Sequence, residues 1–357
     1  MKKPIVYLAR LKDGSSNEAQ TRAARKVIHA TGFLDRLDQL DMTAIKVHVG
    51  EKRNVTYMRP EIVAAVARMV KKSGGMPFIT DTATLYKGER ENGIKHILHA
   101  HAHGFTIDDI GAPFIPVDGL AGEQETEVTI NGELNESVKV AAEILKADFL
   151  AVISHATGHV ASCMGAAIKN VGMGLASRAG KMRQHSTMTP RIKPEVCTNC
   201  GKCRKWCPTD AIEERESVSY IIEEKCIGCG ECLAVCRFGA VSFNWGVESP
   251  TLQKAMAEHA AGVVRNFNDK AVYMNVIVDV TKDCDCINKK QSKDMPDVGI
   301  VASNDMVAID QATIDLTAGS SDKDAFSSFY PELDPAIQVE HARKLGLGSR
   351  DYKLETV

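Results

Sequence analysis

The sequence predicts an α/β protein with a mainly parallel sheet and flanking helices, interrupted by a small α+β insert. Two observations carry this. Short apolar runs the length of strands alternate with stretches of helical periodicity, early and late in the chain. Between them, residues 197–236 hold eight of the eleven cysteines, which breaks the alternation. The 357 residues are 44% hydrophobic and 25% charged, an ordinary globular composition with room for one large domain or two. A formal net charge of −2 gives no basic signal for nucleic acid. The apolar run near the N-terminus is too short for a signal peptide, and no stretch approaches the roughly 20 apolar residues of a membrane span. A soluble, cytoplasmic protein is expected.

Residues 5–9 read as a short buried strand. Asn17 is placed to cap a helix running to about Thr31, with Gly32 stopping it. Residues 44–49 alternate as a second strand. Pro60 suits a helix's first turn, and Ile62, Val63, Val66, Met69 and Val70 follow at helical spacing until Gly74 and Gly75. Residues 77–80 read as a strand ending at Asp81, and the next helix carries His96, His99, His101 and His103. A helix is expected over residues 138–147 and a buried strand over 149–153. After the cysteines the alternation resumes: a helix over 252–264, strands over 271–278 and 298–301, and a helix over 306–316. Asp334-Pro335 opens a last helix that stops near Gly346. The simplest arrangement is one α/β domain built from residues 1–189 and 247–357, with residues 190–246 inserted as a module.

The insert has two runs of one spacing, Cys197-x2-Cys200-x2-Cys203-x3-Cys207-Pro208 and Cys226-x2-Cys229-x2-Cys232-x3-Cys236. This is the bacterial ferredoxin pattern for a pair of 4Fe–4S clusters. Three cysteines spaced by two residues wrap one corner of a cubane, and the fourth thiolate must come from elsewhere. In two-cluster ferredoxins the last cysteine of each run crosses to the other cluster. Cluster I is therefore assigned Cys197, Cys200, Cys203 and Cys236; cluster II takes Cys226, Cys229, Cys232 and Cys207. The insert is expected to be a small α+β, bacterial-ferredoxin-like module. Structural zinc prefers two separated ligand pairs, and disulfide frameworks belong to small secreted chains. Proline follows Cys207 but Arg237 follows Cys236, so the second half is less regular. Exposed low-potential clusters are oxygen-sensitive, which points to an anaerobe. No nicotinamide or flavin fingerprint accompanies them.

Further chemistry is expected in five places. His155-Ala-Thr-Gly-His159 and the glycine-rich run through Lys169 to Gly174 follow a strand, where α/β folds place ligand sites. His155, His159 and Lys169 are candidate catalytic residues against the plainer reading of a Gly-rich turn. Asp283-Cys284-Asp285-Cys286 follows another strand; residues two apart in an extended chain point the same way, so Cys284 and Cys286 are a candidate redox pair or third metal site. His155, His159 or Cys163 would complete such a metal site. The histidines at 96–103, with Asp108 and Asp109 nearby, read as a solvated helix face rather than a metal site. Asp81, at a strand end, is a candidate catalytic residue or a helix cap. Arg191, Lys193, Lys202, Arg204 and Lys205 surround cluster I and read as a solvated face or a dock for an acidic electron carrier. Trp206 and Trp245 are expected to pack the module.

Several long blocks, in order, carry a family likeness. They are Thr80-Asp-Thr-Ala-Thr-Leu-Tyr86, the stretch from His155 to Gly174, Gly180-Lys181 with His185, the paired cysteine runs, Asp283-Cys-Asp-Cys286, Asp297-Val-Gly-Ile-Val-Ala-Ser303 and Val307-Ala-Ile-Asp310. Together they resemble the iron–sulfur proteins of the "domain of unknown function 362" family. The resemblance implies an α/β domain bearing a 4Fe–4S ferredoxin module, with no settled substrate. The Gly-rich stretch ending in lysine is also similar to lactate racemase-like proteins, which puts a substrate or cofactor site near His155, His159 and Lys169. The expected function is an iron–sulfur oxidoreductase or electron-transfer protein, relaying single electrons from a partner such as ferredoxin or flavodoxin to a small-molecule site in the α/β domain. A non-catalytic carrier or metal-handling protein is the first alternative. A non-redox isomerase or lyase with structural clusters is the second.

Overall fold

Six largely apolar runs and one short polar edge segment become the strands of one sheet: β1 (Ile5–Arg10), β2 (Met42–Lys46), β3 (Met76–Thr80), β4 (Phe149–His155), β5 (Ala271–Ile277), β6 (Gly299–Ser303) and the edge strand β7 (Lys353–Thr356). The computed structural model describes residues 3–185, 189–226, 228, 230–242, 248–319 and 324–357. The strand order is β7-β1-β6-β5-β4-β2-β3. Four of the six pairings are parallel, and β6 alone runs against both its neighbours. The mainly parallel α/β sheet read from the sequence is what the chain forms. Strands from either side of the cysteine-rich stretch share this sheet.

The inner strands are apolar because both their faces are covered. Along β4, Leu150 and Val152 enter the core on one side; Phe149, Ala151 and Ile153 enter the core on the other. One core includes Ala257 and Ala261 of the helix Ser249–Val264 and Val307 of the helix Met306–Ala318. The opposite core includes Val27 of the helix Asn17–Ala30, and Ile62 and Val66 of the helix Pro60–Lys72. β2, β3, β4 and β5 are mutually parallel, so their carboxyl ends share one edge of the sheet. That edge carries Lys46, Asp81 and His155, and receives the loop containing Cys284 and Cys286.

Several expectations are corrected. The helix expected over 138–147 is a strand, Ser137–Ala141, followed by a short 3-10 turn, Ala142–Lys146. Val138 and Val140 alternate into the core while Lys139 faces the other way, and the strand pairs with Glu125–Thr129. The first helix is capped by Ser16, whose side chain accepts from Ala19 N–H, rather than by Asn17. β7 escaped the sequence reading because only four residues of an exposed edge strand form it. The histidine helix Gly93–Ala102 is no solvated face: His96 and His99 are buried, and His99 Nε2 and His103 Nδ1 bond Gly50 O at 3.0 Å and Val49 O at 2.8 Å. No helix among the described residues is long and apolar enough to cross a membrane.

In the module, Arg191–Ile192 pairs antiparallel with Val241–Ser242, so the chain enters and leaves it at one place. Between them lie the hairpin Ile212–Arg215/Val218–Ile221 and two short helices, Lys202–Lys205 and Glu231–Val235. The two cysteine runs share a backbone signature. The second and fourth residues after each first cysteine are left-handed: Asn199 (φ 49°) and Gly201 (φ 70°), then Gly228 (φ 64°) and Gly230 (φ 77°). The third residue after each last cysteine is left-handed too: Asp210 (φ 49°) and Gly239 (φ 68°). Such reversals curl successive N–H groups toward one concavity, which suits an anionic group. Trp206 is about half exposed rather than packed inside, and Trp245 lies outside the described residues.

Candidate functional site

At the shared carboxyl edge of the sheet is a cavity of about 790 Å³. Asp81, His155, His159, Lys169, Cys284 and Cys286, separated by up to 205 positions in the sequence, all line it. Their chemistry differs by position.

The centre is a sulfur pair. Lys169 Nζ lies 3.3 Å from Cys284 Sγ, and the Cys286 backbone N–H donates to the same sulfur at 3.3 Å. The side-chain hydrogen bond from Cys286, with the Lys169 charge behind it, lowers the Cys284 thiol against the cost of burial, while Cys286 is pushed up by that bond and by burial. Of the two sulfurs, Cys284 is thus the one whose thiolate is favoured. Lys169 is presented by the helix Ala167–Gly172, whose first N–H groups, those of Ala167 and Ile168, donate to the buried Asp310 at 2.9 and 2.8 Å. Burial pushes Asp310 up to about 6.

His159 reaches the pair from a small hairpin, Thr157–His159 with Cys163–Gly165. A ring nitrogen of His159 and the two sulfurs lie within 4.8 Å of one another, a donor set that suits a thiophilic metal. The hairpin sits tightly against the cysteine loop: Gly158 N–H donates to Thr281 O at 2.8 Å, and a Cβ on Gly158 would fall 2.1 Å from Lys282 O. His159 Nδ1 accepts from Ala161 and Ser162 N–H at 3.1 and 3.0 Å, so its proton sits on Nε2. Burial keeps the ring uncharged, well below its ordinary pKa.

His155 and Cys163 stand apart from that group. His155 Nδ1 meets Asp285 at 2.7 Å and Nε2 donates to Val278 O at 2.9 Å. Against burial, the Asp285 carboxylate holds His155 above its ordinary value. Asp285 also accepts from Thr56 at 3.2 Å, so the residue between the two cysteines is pinned on both oxygens. Cys163 is buried with its thiol pushed up to about 12 by desolvation.

Asp81 is no helix cap. Its carboxylate meets Lys46 at 3.0 Å, Arg90 at 3.3 Å and His96 at 3.6 Å, all buried. Although burial favours the neutral acid, Lys46 and its neighbours hold Asp81 well below the usual range. Arg90 also pairs with Glu51 at 2.7 Å and donates to Tyr86 at 2.7 Å. Lys46, Glu51 and Arg90 were missed from the sequence. Lys46 left a signal, a charge inside the apolar strand Met42–Lys46; Glu51 and Arg90 sit in loops and left none. Lys181 donates to Thr82 and to Ala176 O, and burial lowers it.

The module adjoins this cavity. Leu85 lines the cavity and also packs with Met182 against Ile212, Ile221, Leu233 and Val241 of the module. Cys203, Cys207, Cys226 and Cys236 border the same apolar cluster. Cys207, Cys226 and Cys232, from different runs, line one small hollow of about 20 Å³. Cys229, the fourth residue of that set, lies outside the described residues. Backbone N–H groups donate to cysteine sulfurs: Ala211 to Cys207 at 3.2 Å, Gly228 to Cys226 at 3.4 Å and Ser219 to Cys197 at 3.5 Å. N–H groups aimed at sulfur stabilise thiolates. The residues present therefore fit a group bound by cysteine thiolates.

Residues 43–315 match the family described as "Domain of unknown function (DUF362)". Curated Ferredoxin-1 sequences of Rhodobacter capsulatus are 49% identical over 35 residues, which is 10% of this chain and 52% of the ferredoxin. The chain thus spans about half the length of the curated relatives it matches. Among solved structures, the lactate racemase apoprotein from Thermoanaerobacterium thermosaccharolyticum is 10% identical, over 78% of this chain and 50% of that one, with a TM-score of 0.40. A structural-genomics protein from Thermotoga maritima is 11% identical, over 94% of this chain and 60% of that one, with a TM-score of 0.42.

Proposed function

The chain belongs to the DUF362 family, and for this member we propose an iron–sulfur oxidoreductase in which the cysteine-rich module serves the cavity of the α/β domain. The observation that carries the reading is Leu85, which belongs at once to the cavity wall and to the apolar cluster that backs the module's cysteines. Cys197, Cys200, Cys203 and Cys236 would hold one 4Fe–4S cluster; Cys226, Cys229, Cys232 and Cys207 would hold the other. When bound, such clusters supply one-electron steps at low potential. The residues around them have clear tasks. The N–H groups of Ala211, Ser219 and Gly228 donate to the sulfurs of Cys207, Cys197 and Cys226. Exposed Arg191, Lys193, Lys202 and Lys205 offer positive charge to an acidic one-electron carrier such as a ferredoxin or flavodoxin. In the cavity, Lys169 holds negative charge on Cys284, and His159 offers an uncharged ring beside it. The cavity's volume suits a small-molecule substrate.

The test is metal and acid-labile sulfide content of anaerobically purified protein. About eight irons per chain are expected from two cubane clusters. Cys203→Ala should abolish partner-driven electron transfer while leaving the α/β domain folded by circular dichroism. A chain that purifies without iron under strict anaerobiosis, or a Cys203→Ala variant with full reductive turnover, would end this reading.

A further inference from the structure

Cys284 is buried and Cys286 is half-buried, and both line the cavity. Their geometry is that of a working thiol pair. Two donors, the Lys169 amine and the Cys286 N–H, converge on one sulfur at 3.3 Å each. A sulfur so served is the nucleophile of the two, because ion pairing and hydrogen bonding favour its thiolate. The second sulfur lies within 4.8 Å of the first. The turn between them is fixed at its middle residue by His155 and Thr56, and at its end by Tyr86 OH, which donates to Cys286 O at 3.3 Å. His159 Nδ1 is engaged by two backbone N–H donors, so with no metal bound its other nitrogen carries a proton and is a hydrogen-bond donor. Cys284 is only 6% exposed, so its reaction partner must be small enough to enter the cavity.

We propose that Cys284 and Cys286 form a redox-active dithiol/disulfide couple that reduces a small disulfide substrate bound in the cavity. This rests on the iron–sulfur reading above for its electrons. The oxidised pair, with one S–S bond, takes two electrons, delivered singly from a reduced carrier protein, and one proton from solvent, giving the Cys284 thiolate and the Cys286 thiol. The Cys284 thiolate then attacks one sulfur of R–S–S–R′. A Cys284–S–S–R bond forms, the substrate's S–S bond breaks, and R′–S⁻ leaves to take a proton from water. The Cys286 sulfur attacks Cys284, re-forming the internal disulfide, and its proton goes to the departing R–S⁻. The sum is one disulfide plus two electrons and two protons giving two thiols. Lys169 stays cationic throughout and holds the attacking sulfur as the anion.

The test uses the anaerobic holoprotein reduced with a viologen, then treated with bis(2-hydroxyethyl) disulfide, with thiols trapped by alkylation and the Cys284–Cys286 peptide weighed. Expected is a doubly alkylated peptide after reduction, an unalkylated disulfide after substrate, and two released thiols per two electrons consumed. Cys286→Ser should stall as a stable mixed disulfide on Cys284, with its cluster absorbance unchanged. The proposal is overturned if the wild-type pair stays doubly alkylated after excess disulfide. It is equally overturned if a stoichiometric metal beyond the cluster iron shields the pair and leaves with Cys284→Ser. If full iron and sulfide accompany either result, this inference alone falls. If iron is absent, the iron–sulfur reading falls, and the couple is judged with a thiol reductant in place of the viologen, by the same mass criteria.

Discussion

Lys169 touches Cys284 through a single atom, and that contact sets the chemistry of the whole cavity centre. A thiol lowered by a neighbouring cation loses that help when the cation is replaced by an isosteric apolar chain. For Lys169→Met the sign follows directly. The folded-state pKa of Cys284 rises, so less thiolate is present at acidic pH. The pH midpoint of its alkylation should move up by about one unit or more, roughly a tenfold loss of reactivity at any pH below the original midpoint. Alkylation rates between pH 5 and 9 check this, and an unchanged profile would show that the hydrogen bond from Cys286 suffices alone. Asp81 makes the contrast. Its oxygens pair with Lys46 and Arg90, and the Lys46 pair ties together the carboxyl ends of β2 and β3.

Among elements, the decisive contacts are between backbones. The short helix bearing Lys169 crosses the helix Ser249–Val264 where Gly172 lies; a Cβ there would fall 2.0 Å from Met256 O. No rotamer relieves a clash with a carbonyl, so the helices would have to part. Gly172→Ala should cost about 1–3 kcal/mol, the usual range for overpacking, and lower the melting temperature measurably. A neutral result would mean the crossing is looser than the contact implies. The strand Ser137–Ala141 teaches a related lesson about reading elements. Val138, Ala141, Ile144 and Leu145 fit a helical face as well as Val138 and Val140 fit a strand. Pairing with Glu125–Thr129 and burial of Val138 and Val140 against the helix Ser249–Val264 decided for the strand.

At the scale of the molecule, two large cores lie on the faces of the seven-stranded sheet, and residues 190–246 have only a small apolar cluster, shared with Leu85 and Met182. Stability is therefore unequal across the chain. On the proposed iron–sulfur reading, iron removal by chelation should loosen residues 190–246 alone. Limited proteolysis should then cut inside the module and leave two fragments that stay together, because both contribute strands to one sheet. Fragments that separate, or digestion of the sheet at the same rate, would refute that division of stability. The sequence by itself determined the α/β class, the place of the cysteine runs, and the residues His155, His159, Lys169, Cys284 and Cys286 as a set worth watching, of which the structure sets His155 apart. Strand alternation and ligand spacing are short-range patterns, and short-range patterns are written along the chain. Only the tertiary structure decided who meets whom. Lys169 and Cys284 are 115 positions apart, His155 and Asp285 are 130 apart, and Lys46 finds Asn170 across 124. Those meetings depend on strand order and on the parallel alignment of β2 to β5, and no local periodicity records the order in which strands assemble.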